Sequence, residues 1–201
     1  RMARTLVLLN GSPLAGSSVH QLLEAVREGF EGAGGEARMF TPHAMRIGHC
    51  IACGADATPG YCVLRDDMDA VYDALEGAHA VVVGSPVYFD TVSGPLKLLI
   101  DRCNCVTPLV TLADGTEDTV PKWRRTRRAA FLTACSSAHR YDLAERSVRG
   151  FLKWIGARWE ETLAWQHADN RPGSVPDDLL VRARALGARL ATSDPLVAES
   201  A

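Results

Sequence analysis

Residues 5–9, TLVLL, are apolar without alternation. A strand with one wet face alternates, so this uninterrupted run predicts a strand covered on both faces, as in a parallel sheet. The breaker Asn10-Gly11-Ser12-Pro13 follows. Then Val19, Leu22, Leu23, Val26 and Phe30 fall at i, i+3, i+4, i+7 and i+11, the apolar face of a helix. Ser18 with Gln21 predicts a capping box at its start, and Gly32, Gly34 and Gly35 predict its end. The alternation continues with strand 36–40, then helix 66–75 with Asp66 and Asp67 at its positive end, then strand 80–83. Helix 94–103, strand 128–133, helix 142–155, strand 158–164 and helix 177–191 complete it. Five strands alternating with five helices predict an α/β fold, a doubly wound five-stranded parallel sheet of order 2-1-3-4-5. We expect one domain over residues 1–201, with a loose tail from 193.

Composition narrows the partners. A net charge of −2, with 47% apolar and 23% charged residues, gives no attraction to nucleic acid or to an anionic membrane. No apolar run approaches the roughly 20 residues of a membrane span, and no secretory leader is legible, so a cytoplasmic protein is expected. Six cysteines in that compartment are read as free, redox-active or metal-binding thiols rather than a disulfide framework.

Ligands of such sheets bind outside the carboxyl ends of the strands. Three turns lie there. The first, GSPLAGSSVHQLL (residues 11–23), combines small residues with the start of a helix and suits a phosphate. Ser12, Ser17 and Ser18 add hydroxyls, Pro13 and Gly16 shape the turn, and a tight turn without ligand is the alternative. It has neither the Gly-Lys-Ser/Thr end of a P-loop nor the GxGxxG spacing. The second, Gly84-Ser85-Pro86-Val87-Tyr88-Phe89, offers backbone groups and aromatic faces to a heterocycle, or simply core. The third, Thr133-Ala134-Cys135-Ser136-Ser137, is again small and polar.

GSPLAGSS, CIACGADATPGYCVLRDDM and GSPVYFDTVSGPLKLLIDR, in that order within residues 5–102, resemble the flavodoxin-like NADPH-dependent FMN reductase family, which includes iron-sulfur flavoproteins. The resemblance implies non-covalent FMN, electrons from NADH or NADPH, and a homodimer or homotetramer with the flavin near a subunit interface. It implies that Ser12, Ser17 and Ser18, with Gly16, hold the phosphate, and that Pro86, Val87, Tyr88 and Phe89 flank the ring. Cys135 and Ser136 complete the candidate set from the third turn. No residue is compelling as an essential acid or base. Lys97 and Asp101, at i and i+4, predict an exposed salt bridge.

Two departures stand out. Leu14 occupies the place where family members often carry Arg. In the cysteine segment, Cys50 and Cys53 are followed by Asp56 where iron-sulfur members have a third Cys, and then by Cys62. A four-iron cluster normally takes four thiolates. Three readings stay open: a cluster with one carboxylate ligand, zinc held by His49, Cys50, Cys53 and Cys62, or free thiols shaping a pocket. Cys103 is expected in the core. The basic run 122–128, KWRRTRR, reads as a solvated loop or as a partner for the 2′-phosphate of NADPH. His139, Arg140 and Tyr141 are candidates for orienting a substrate.

The expected function is two-electron transfer from NAD(P)H through FMN to a small aromatic or quinone-like acceptor, such as a quinone, flavin, azo or nitro compound, or a biosynthetic intermediate. A flavoprotein electron carrier and a non-enzymatic binding protein of the same fold are the competing expectations.

Overall fold

The computed structural model describes residues 4–55, 60–119, 121–123, 125–136, 140–166, 168 and 174–192. Chain order is β1 (Thr5–Asn10), α1 (Ser18–Gly32), β2 (Glu36–Phe40), α2 (Met68–Gly77), β3 (Ala80–Pro86) and α3 (Gly94–Arg102). There follow β4 (Leu109–Thr111), β5 (Glu117–Thr119), β6 (Arg127–Ala134), α4 (Asp142–Trp154), β7 (Ala157–Trp165) and α5 (Asp177–Thr192). The main sheet runs β2-β1-β3-β6-β7 with every pair parallel, the expected 2-1-3-4-5 order. The antiparallel β4–β5 hairpin is an addition within the long connection to β6. Among the described residues no helix is long and apolar enough to cross a membrane.

Why the strands read as unbroken apolar runs is now visible. Leu6 and Leu8 point into one core with Val82, Leu132 and helices α1 and α5, while Val7 and Leu9 point into the other with α2, α3 and α4. Both faces are dry, so no position needs to be polar. α1 and α5 meet at backbone contact: a Cβ on Gly187 would lie 2.0 Å from the Val26 carbonyl oxygen, and one on Gly29 2.0 Å from that of Arg184.

Two helix starts differ from expectation. The cap of α1 is Ser17, whose Oγ accepts from the His20 amide at 3.2 Å, while Gln21 Nε2 donates to the Gly16 carbonyl at 3.2 Å. The cap is thus Ser17 rather than the predicted Ser18, and the reciprocal half of a capping box is not made, because Gln21 donates to a carbonyl instead of accepting from the cap amide. α2 begins at Met68, whose amide donates to Asp66 Oδ1 at 3.0 Å while the other carboxylate oxygen pairs with Arg102.

The basic run is not simply a solvated loop. Arg127 is fully buried at the amino edge of the sheet. Its guanidinium donates to the carbonyls of Leu75 (2.7 Å), Glu76 (2.9 Å), Ile155 (3.0 Å) and Arg125 (2.6 Å). Leu75 and Glu76 lie in the last turn of α2 and Ile155 caps α4, so one cation satisfies carbonyls at two helix ends. Burial first, and then Arg125, push its pKa down to about 10, which leaves it charged at neutral pH. Arg128 pairs with Glu160 on β7, beside the register shift between Ala129 and Ala130. Neither arginine is available to a nucleotide phosphate. Arg124 lies outside the described residues, as does the tail from 193.

Candidate cofactor site

β1, β3 and β6 are adjacent, with Asn10 opposite Gly84 and Pro86 opposite Ala134, so the turns that follow them share one sheet edge. Ser12, Pro13, Gly16, Ser17 and Ser18 stand in the first turn, Val87, Tyr88 and Phe89 follow Pro86 in the second, and Cys135 and Ser136 open the third.

The first turn is organised from within. Asn10 Oδ1 accepts from the Ser12 amide at 3.0 Å, and Ser12 Oγ accepts from the Leu14 amide at 3.3 Å and the Ser17 hydroxyl at 2.8 Å. Asn10 Nδ2 lies 3.3 Å from His20 Nδ1; the amide must donate, which puts the neutral ring's proton on Nε2, toward Glu24. Gly16 has φ +69, the left-handed region, with open space where a Cβ would stand. Among the described residues the amides of Ala15, Gly16, Ser18 and Val19 and the Ser18 hydroxyl make no hydrogen bond. Five free donors surround the positive end of a 15-residue helix, which fits a phosphate monoester. Leu14 is exposed and brings no charge, so the grip is made of dipoles and hydroxyls.

Buried hydroxyls tie the three turns together. Ser93, capping α3, donates from Oγ to the Gly11 carbonyl at 2.6 Å, and its amide donates to Ser85 Oγ at 3.0 Å. Thr133 Oγ1 donates to the Ser85 carbonyl at 2.8 Å. Ser85, Ser93 and Thr133 are all buried. Sequence reasoning missed the link from Ser93 to Gly11, as it missed the roles of Asn10 and His20. A polar residue at a strand end, as Asn10 is, was the available signal.

The second turn is strained. Tyr88 and Thr91 exchange backbone hydrogen bonds at 2.9 and 3.1 Å, and between them Phe89 and Asp90 take φ 49 and 62. Two positive φ values are what a tight hairpin turn demands, and Gly or Asn is the usual occupant. Holding non-glycine residues there costs roughly 1 kcal/mol each. Phe89 is 101% exposed and Tyr88 45%, so the turn presents aromatic rings outward. In the third turn Cys135 is buried, its amide on the Trp165 carbonyl at 3.0 Å, and burial pushes its thiol up. It is a neutral wall. Ser136 is half-buried and hydrogen-bonded or otherwise engaged. Ser137 and His139 lie outside the described residues, and Arg140 forms an exposed pair with Asp142 at 3.0 Å.

The cysteine loop follows β2 and is anchored on Arg102 at the end of α3. Arg102, fully buried, donates from Nη1 to the Gly48 carbonyl at 3.0 Å and to Asp66 Oδ2 at 2.6 Å. From Nη2 it donates to the Leu64 carbonyl at 3.4 Å and to Asp66 Oδ1 at 3.2 Å. Burial pushes the Asp66 carboxyl up, but Arg102 and the amides of Gly48 and Met68 outweigh it and hold it below its ordinary value. Cys103 is buried in the core, as expected. Lys97 and Asp101 pair at 2.6 Å on the exposed face of α3. Among the described residues no three His, Cys, Asp or Glu side chains are gathered to hold a metal ion, which disfavours the zinc set His49, Cys50, Cys53 and Cys62. Cys50, Cys53 and Cys62 likewise do not converge as ligands of a cluster, and Asp56 lies outside the described residues.

Known proteins share the fold and the family of this chain. An iron-sulfur flavoprotein of Archaeoglobus fulgidus is 35% identical over 92 residues, 46% of this chain and 42% of that protein. The chain spans about half the length of the curated relatives it matches. An FMN-dependent NADH-azoreductase of Bacillus anthracis, solved in complex with FMN, superposes with a TM-score of 0.64 at 13% identity, covering 94% of this chain and 100% of that one. A flavodoxin from the domain Archaea superposes with a TM-score of 0.56 at 12% identity, over 94% and 96%. At such identities the superpositions establish the flavodoxin-like fold. The family model of NADPH-dependent FMN reductases matches residues 4–161, and with that span the chain belongs to the NADPH-dependent FMN reductase family.

Proposed function

We propose that the chain holds FMN along the carboxyl edge of its sheet and passes two electrons from NADH or NADPH to a small flat acceptor. Quinones, flavins, azo and nitro compounds, and an aromatic biosynthetic intermediate all suit that description. The observation that carries the reading is the set of five free donors at the α1 start, set beside an outward-facing aromatic turn on the same edge. FMN, when bound, supplies reversible two-electron chemistry at its ring. The chain's part is positioning. The amides of Ala15, Gly16, Ser18 and Val19 and the Ser18 hydroxyl anchor the phosphate, and the Ser12–Ser17 hydroxyl pair fixes the turn's shape. Pro86, Val87, Tyr88 and Phe89 border the ring, with Ser136 beside them. Cys135 stays protonated through burial, which keeps a competing nucleophile out of the site.

The exposed Phe89 supports assembly as a homodimer or homotetramer in which a second copy covers that ring. The cytoplasm is the proposed place of work. An absorbance spectrum of the purified protein, taken before and after anaerobic addition of NADPH and NADH in turn, tests the reading. Flavin bands that bleach on addition are the expected result; colourless protein that takes up no FMN on titration overturns it.

A further inference from the structure

In the connection from β2 to α2, Gly48 and Leu64–Asp66 are both pinned to the single guanidinium of Arg102. Such a neck fixes the loop's span without any metal. Inside it, Ala52 (φ 48) and Gly54 (φ 63) turn the chain back on itself. Cys50, Cys53 and Cys62 border a cavity of about 730 Å³, and its far wall is made of Cys105, Pro108, Val110 and Trp154. Ser12, Ser18, Pro86, Tyr88 and Cys135 are not among its lining, so it is separate from the crest of the sheet.

The walls say what the cavity accepts. The volume lies in the range of small-molecule sites. Ile51, Leu64, Pro108 and Val110 are apolar, and Trp154 and Tyr61 offer flat faces. The two cations that line it are engaged, Arg102 by Asp66 and Lys122 by a partner of its own. No carboxylate is in the lining, so a cation finds no counter-charge there. The thiol of Cys105 donates to the Arg102 carbonyl at 3.1 Å and is kept neutral by burial. Asn104 and Thr119 remain as polar handles at the wall.

We propose that this cavity is a second small-molecule site, taking a neutral, flat aromatic compound of about two or three fused rings, where the iron-sulfur members of the family would carry cluster ligands. An organic ligand takes the space. This does not rest on FMN at the crest, and its test separates the two.

The experiment is calorimetric titration of the full chain with 2-naphthol, with and without excess FMN. Saturable one-site binding, unchanged by FMN and weakened at least about tenfold by Val110→Trp, is the expected result. Leu109→Trp, on the exposed rim of the hairpin, gives the same reading should the first variant fail to fold. In parallel, N-ethylmaleimide labelling of Cys62 and Cys105 should slow in the presence of 2-naphthol. Binding abolished by FMN, or indifferent to both tryptophan variants, overturns the proposal. So does anaerobic incubation with ferrous iron and sulfide that leaves a stoichiometric cluster after desalting.

Discussion

The Ser93 hydroxyl donates to the Gly11 carbonyl at 2.6 Å, joining the start of α3 to the turn after β1 across 82 positions of sequence. The same oxygen caps α3 by accepting from the Leu96 amide at 3.5 Å. Ser93 therefore transmits the position of the β3 turn to the phosphate turn. Ser93→Ala should cost about 1–3 kcal/mol, from a buried carbonyl left without this donor and a helix without its cap. We expect a lower urea midpoint for the apo protein together with weaker FMN affinity by titration. A midpoint and an affinity both unchanged would remove Ser93 from this role.

Phe89 is held at φ 49 with its side chain fully exposed, so it stores backbone strain and buries nothing in the protomer. Phe89→Gly should raise the stability of the protomer by roughly 1 kcal/mol, since glycine takes that φ without penalty. If the ring serves FMN or a second copy, the same substitution should lower NAD(P)H oxidation and the assembled fraction seen by sedimentation. Stability gained with neither loss would mark the turn as strained without purpose.

Gly187 and Gly150 make a contrast in which the same change has opposite signs. At Gly187 an added Cβ meets the Val26 carbonyl at 2.0 Å and the Phe30 amide at 2.8 Å, both backbone atoms that cannot swing away. Gly187→Ala should force α5 off α1 and destabilise by about 1–3 kcal/mol or more. At Gly150, mid-helix in α4, nothing lies within 4 Å. Gly150→Ala should stabilise by up to about 1 kcal/mol. Thermal unfolding of the two variants side by side decides it, and equal shifts would contradict the packing of α1 on α5.

What the sequence discloses and what it hides divide along physical lines. Strands β1, β3 and β6 are legible because burial on both faces leaves uninterrupted apolar runs, and the three turns are legible because small polar residues end those runs. The β4–β5 hairpin is not: three-residue strands with mostly exposed side chains carry no burial signal, although Asp114-Gly115 between them is a turn cue. Arg127 looked like one charge among several, since its partners are carbonyls on helices about 50 and 28 residues away. Asp66 was legible as a helix-start carboxylate, and it does accept from the Met68 amide at 3.0 Å, but its second partner, Arg102, was hidden because it lies 36 residues on. The positive φ at Phe89 was hidden because an aromatic residue rarely takes that conformation, and Asp90 alone, which tolerates it, was too weak a cue.

The Asp66–Arg102 pair makes stability depend on pH with a definite sign. The folded carboxyl titrates below its ordinary value of 3.8. A depressed carboxyl adds stability that is complete above the unfolded value and drains away as pH falls through the folded one. The native protein should therefore hold its unfolding free energy between pH 5 and 7 as far as this pair is concerned, and lose it below about pH 4. Asp66→Asn removes the titration and leaves the buried Arg102 cation without a counter-charge, held only by neutral carbonyl acceptors such as those of Gly48 and Leu64. It should cost about 3–5 kcal/mol at pH 7, the usual penalty for breaking a buried pair from one side. The gap between the two proteins should narrow as pH falls below about 4, because protonation of the native carboxyl removes the charge that the substitution has already removed. Urea unfolding at pH 7 and pH 3 measures both gaps. A variant whose deficit is the same at both pH values would show that Asp66 acts through shape and hydrogen bonding rather than through its charge on Arg102.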